Sequence, residues 1–243
     1  MSLVGERKAL AAAVLALYTL LYLINALFGG PETSLLFGAM SGLYGLAFFS
    51  LVAGYFWARW FAIGVGLYGV VGAVMAIIQI GLDYTFLFYG GTHGVVSLFL
   101  WGNAMAGDFD GRGEWRERFH LDEFGTRRLG KAVIRIGITL PILIIYGLAP
   151  REDMAETLLL LSVVTMAVIG IRGMLQMRTW GVLLVGVSAL AVASTALCSG
   201  SFVCLQNGVG LQLSTTGIGA ALLLVTCVTP FVAPIARYLF ARR

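Results

Sequence analysis

The chain has 243 residues, of which 59% are hydrophobic and only 12% charged, and its mean hydropathy is +0.92. Such a composition cannot clothe a water-soluble surface, so the chain belongs in a lipid bilayer. The net charge of +4 reflects where the basic residues sit relative to the membrane, and nucleic-acid binding is not inferred from it.

A helix that crosses a hydrocarbon core ~30 Å thick needs about 20 mainly apolar residues at ~1.5 Å each. Eight such runs are predicted, over 8–28, 34–56, 61–81, 85–106, 131–149, 154–174, 179–198 and 211–236. The expected fold is therefore all-α, a polytopic bundle of eight transmembrane helices. The first run follows the basic flank "GERK", as a secretory signal would, but it is long and no small-x-small cleavage pattern follows, so it is read as a retained helix. Small residues recur at four-residue spacing in "GAMSG" (Gly38 to Gly42), "GVGLYGVVGA" (Gly64 to Ala73) and "GNAMA" (Gly102 to Ala106). This spacing lets backbones approach closely, either within one bundle or at a seam with a second copy or another membrane subunit.

His93, in the fourth run, lies about 8 residues from its start and so roughly 12 Å deep. At that depth a single histidine offers an axial ligand to a haem or chlorophyll, with the neighbouring glycines leaving room; its plainer role is a hydrogen-bonded packing residue. The other histidine, His120, falls in a loop, which excludes a bis-histidine pair within the chain. The remaining deep polar groups are Asn25, Gln79, Asn103, Gln176, Gln212 and Ser214 to Thr216, which fit either a solute path or interhelical hydrogen bonds.

Residues 107–130 form the one sizeable extramembrane segment, with six acidic and six basic residues from Asp108 to Lys131. "DFDGRGE" opens like a calcium loop at Asp108, Asp110 and Gly113, yet Arg112 and Phe119 stand where acidic ligands are required. Trp115, Phe119, Leu121 and Phe124, interleaved with charges, predict an amphipathic helix at the membrane surface. The segment separates two halves, 1–106 and 131–243. An offset of 119 superimposes Pro31 on Pro150, Gly54 on Gly173 and Arg59 on Arg178, with Trp60 and Trp180 one place out of step. Halves of four helices each would be parallel repeats about an axis along the membrane normal. In the last run Pro230 and Pro234 predict a kink, with Thr226 and Thr229 placed to take up the freed backbone groups.

Of the 16 basic residues, all but Arg151 fall on one side if both termini face the cytoplasm. Glu32, Asp83, Glu152, Asp153 and Glu156 then lie outside. This orientation in a bacterial inner membrane places "TALCSGSFVCLQNG" in the extracytoplasmic loop, an oxidising environment. Five residues separate Cys198 from Cys204, unlike the two of catalytic dithiols, and no His or Lys flanks them. A structural disulfide is the expectation, with Cys227 unpaired; no metal site is expected, since zinc needs more ligands than two sulfurs.

No carboxylate is placed at depth, which argues against an ion-coupled transporter. No nucleotide-binding loop, metalloprotease helix or nucleophile elbow occurs in its required context. Three readings follow. The first is a non-enzymatic subunit or scaffold packing among other membrane proteins. The second is a channel or facilitator for a small neutral solute near His93, Asn103 and Gln212, and the third a haem- or pigment-binding subunit built on His93.

Overall fold

The computed structural model describes residues 4–109, 123–149, 151, 154–176, 178–203 and 208–240, with backbone alone at 108, 198–203, 208–215 and 235–240. Among these the regular structure is entirely helical: α1 Val4–Phe28, α2 Pro31–Ala53, α3 Ala58–Ile80, α4 Tyr84–Leu100, α5 Asn103–Phe109, α6 Glu123–Leu148, α7 Met154–Leu175, α8 Thr179–Val203 and α9 Gly208–Phe240. Helix is what a bilayer demands, because no water is present there to satisfy backbone N–H and C=O groups. Seven of these helices are long and apolar enough to cross a membrane, so the protein is an all-α polytopic membrane protein.

The expected fourth span is shorter than its apolar run. Its helix has 17 residues, about 26 Å at ~1.5 Å per residue. The chain turns at Gly102, whose φ of 111° is open to glycine but strained for other residues, and restarts as the short α5. Asn103 is consequently an exposed residue at the start of α5 rather than a deep one. A second correction concerns α6, which begins at Glu123, so Lys131 and Arg135 lie within a 26-residue helix and not at its start. The amphipathic stretch from Trp115 to Leu121 lies outside the described residues.

The chain divides into two units, residues 1–126 and 127–243. In the first unit, α1 packs along α2 and α3 along α4, and α1–α4 and α2–α3 contacts close the four-helix ring. Gly54, in the left-handed conformation at φ 72°, ends α2, its amide donating to the carbonyl of Leu51 while that of Tyr55 donates to Ser50. Tyr44, Leu15, Leu51, Ile63 and Leu100 fill the interior.

Basic side chains collect at one end of this unit. An Arg7 Nη2 donates to the carbonyls of Leu98 (3.2 Å) and Trp101 (2.9 Å), and an Arg59 Nη1 donates to that of Leu100 (3.3 Å). The Leu98 carbonyl also accepts the Trp101 amide at 3.3 Å, and cations at this end meet the negative pole of the helix. Glu32, in the first turn of α2, and Asp83, the N-cap of α4, stand at the opposite end.

In the second unit α8 packs along both α7 and α9. Where α7 and α8 meet, a Cβ on Gly181 would overlap the backbone of Gly173 and Met174, so only glycine permits that approach. Tyr146 of α6 lies against Gly217 of α9, with its hydroxyl 3.4 Å from Thr195 Oγ1 of α8. Arg151 covers the end of α6: its guanidinium donates to the carbonyls of Tyr146 (2.8 Å) and Ala149 (3.1 Å) and pairs with Glu156 at 3.1 Å.

The identities at offset 119 occupy unlike environments. Gly54 caps a helix whereas Gly173 lies inside one against Trp180, and Trp60 is 6% exposed against 44% for Trp180. Pro31 opens α2, but Pro150 lies outside the described residues. The main helix pairings also differ, α1–α2 and α3–α4 in one unit, α7–α8 and α8–α9 in the other.

Candidate functional site: the His93 network

Tyr18 and Tyr22 lie one turn apart on α1, and Tyr89 and His93 one turn apart on α4, so each pair shares a helix face. Packing of α1, α2 and α4 brings these residues together with Tyr44. His93 is 1% exposed and Tyr44 fully buried, with the Tyr44 hydroxyl 2.7 Å from His93 Nε2 and His93 Nδ1 2.8 Å from the carbonyl of Tyr89. A carbonyl only accepts, which assigns the proton to Nδ1. Nε2 is then the acceptor and the phenol the donor.

The rings of Tyr18 and Tyr89 lie with centroids 4.3 and 4.2 Å from the imidazole. The Tyr18 hydroxyl is 2.7 Å from Thr92 Oγ1, while Tyr22 packs against both Tyr44 and Phe37. Space for the imidazole comes from α3: a Cβ on Gly69 would fall onto the ring, and one on Gly66 would collide with Ser97 and the carbonyl of His93. Of the glycines beside His93 on α4, Gly90 lies against Ala73 and Gly94 near Val70, whereas Gly91 meets nothing within 4 Å. The Nε2 lone pair that a haem iron or chlorophyll magnesium would take accepts the Tyr44 proton in this geometry.

Asn25, Gln79, Asn103 and Gln176, read from the sequence as parts of a path, are each exposed. The Asn25 amide donates to the carbonyl of Leu21 in its own helix, at 2.8 Å. The side chain of Gln212 lies outside the described residues. Cys198 lies within α8, which runs on to Val203; its side chain and all of Cys204 lie outside the described residues, and among those described no disulfide forms. The expected pairing therefore finds no support. Cys227 is buried and unpaired, its thiol donating to the carbonyl of Leu223 at 3.3 Å. No group of three His, Cys, Asp or Glu side chains suited to a metal occurs among the described residues.

The tyrosines were overlooked in the sequence because phenols are uncharged and blend into apolar runs; their i, i+4 spacing on α1 and α4 was the available signal. No family model matches the chain, and neither does any curated protein or solved structure.

Proposed function

We propose that the protein is a non-enzymatic subunit of a larger membrane assembly, packing against another membrane helix through the exposed face of α2. One observation carries this reading. The glycines of α3, α7 and α8 at Gly66, Gly69, Gly173 and Gly181 are consumed by contacts within their own units. On α2, Gly42 meets nothing within 4 Å and Gly38 only the Ala26 Cβ at 4.0 Å. Both lie four residues apart on a face with Leu35, Leu46 and Phe49, each at least half exposed. Small residues so spaced, flanked by large apolar ones, suit close helix–helix association in lipid.

Asn25, Gln79, Asn103 and Gln176 are exposed, which gives the solute-path reading no support, and the Nε2 lone pair that the pigment reading needs accepts the Tyr44 proton. Bacterial inner-membrane residence with both termini cytoplasmic completes the proposal, supported by the gathering of Arg7, Lys8 and Arg59 at one end of the first unit and of Glu32 and Asp83 at the other. Native mass measurement after gentle solubilisation from the host membrane tests the assembly. A mass above that of one chain is expected, falling to the single chain with Gly42→Leu at unchanged melting temperature. A wild-type protein that emerges alone overturns the reading.

A further inference from the structure

Three cations meet at the C-terminus of α4. Arg7 reaches it from α1, Arg59 from α3, and the Lys8 ammonium sits 5.1 Å above the ring of Phe109 on α5. Arg7 uses a single nitrogen, Nη2, for both carbonyls, so its Nε and Nη1 donors form no further bond among the described residues. No carboxylate pairs with Arg7 or Lys8 among those residues either. Among the described residues, Arg7 and Lys8 face the exposed Glu6 and about half a negative charge from the end of α4, which leaves the pair net positive.

Its surroundings are those of a bilayer boundary: Trp101 and Tyr55 are exposed, and Tyr55 stacks on Trp57 at 5.8 Å. With Nη2 spent on the two carbonyls, Arg7 still offers the Nη1 donors to a phosphate oxygen, and an ammonium alongside adds a point charge.

We propose that Arg7 and Lys8 bind the phosphate of one anionic phospholipid in the leaflet at this end of the first unit. The Arg7 stem is already fixed by its bonds to α4, so little side-chain freedom remains to be lost when the headgroup docks. The site requires membrane embedding but not the assembly proposed above, and it would persist in a protein shown to be a single chain.

The test uses the full-length protein in phosphatidylcholine nanodiscs titrated with phosphatidylglycerol, with the retained lipid counted by native mass spectrometry. One tightly retained phosphatidylglycerol is expected, its binding weakened about fivefold by Lys8→Gln and by more in the Arg7→Gln/Lys8→Gln double variant. Arg7→Gln also uncaps α4, so Lys8→Gln, which removes no hydrogen bond, provides the measurement free of misfolding. Equal retention by wild type and Lys8→Gln, or equal retention of phosphatidylcholine, overturns the site. Displacement of phosphatidylglycerol by millimolar inorganic phosphate overturns the assignment to a lipid.

Discussion

His93 illustrates how a single titratable residue is accommodated in a bilayer. Both ring nitrogens are engaged, one by a phenol and one by a carbonyl, so the neutral imidazole carries no unmet hydrogen bond. Tyr44→Phe should lower stability by about 1 kcal/mol, because it strands Nε2, and a double-mutant cycle with His93→Phe should show that the two losses are not additive. Equilibrium unfolding in mixed micelles measures both; additive losses would mean that the pair is not coupled. Steric limits are sharper. Gly69→Ala places a methyl on the imidazole and should cost about 1–3 kcal/mol, whereas Gly72→Ala, in open space one turn away, should be neutral or slightly stabilising. A purified protein without visible absorbance, unchanged by His93→Ala, is the corresponding expectation for the absence of an axial ligand.

At the scale of elements, the ends and breaks of helices decide where charged side chains go. Pro230 has no N–H, so the carbonyl of Thr226 loses its helical partner. The hydroxyl of Thr229 donates to it at 2.8 Å, and Arg135 Nη1 from α6 at 2.6 Å, while that same nitrogen lies 2.7 Å from Thr229 Oγ1. The role expected of Thr229 is thus met, and Arg135 joins it from another helix. Arg135→Gln should cost about 1.5–3 kcal/mol, and less than half of that in a Pro230→Ala background, where the carbonyl recovers a backbone donor. An unchanged cost in that background would show that the arginine serves something other than the break.

The N-cap of α4 makes a second prediction. Asp83 accepts from the amide of Thr85 at 2.7 Å, and the Thr85 hydrogen bonds hold its carboxyl below the usual carboxylate range. A depressed folded pKa means that the cap stabilises fully above the ordinary carboxylate pKa and is lost as pH falls through the depressed one. Amide exchange in the first turn of α4 should therefore accelerate, relative to neighbouring turns, between about pH 5 and pH 2. Asp83→Asn, which retains a capping oxygen, should abolish that pH dependence.

For the molecule as a whole, the proposed association rests on Gly38 and Gly42, uncovered and four residues apart on one face of α2. Disulfide cross-linking through Gly42→Cys in native membranes should yield a product of more than one chain, whereas Gly69→Cys, facing the imidazole, should yield none. A cross-link from both positions, or from neither, would remove α2 as the seam. The skew of lysine and arginine also predicts that a thiol at Gly5 is labelled from the cytoplasmic side and one at Gly81 from outside.

Fold class was legible in the sequence because a bilayer leaves the backbone one economical solution, so length and apolarity alone place most spans. Arg151, the basic residue expected on the side opposite the other 15, bonds to the Tyr146 carbonyl of α6 and pairs with Glu156. What composition could not settle was anything that depends on partners distant in the chain. Whether His93 keeps a free lone pair is decided by Tyr44, 49 positions earlier, and whether a glycine admits a partner helix is decided by what already occupies its face. Apolarity is a property of each residue, and the sequence alone determined a membrane-embedded helical chain. Hydrogen-bond partners and close approaches are properties of pairs, so only the tertiary structure decided that both ring nitrogens of His93 are engaged and that Gly42 meets nothing within 4 Å.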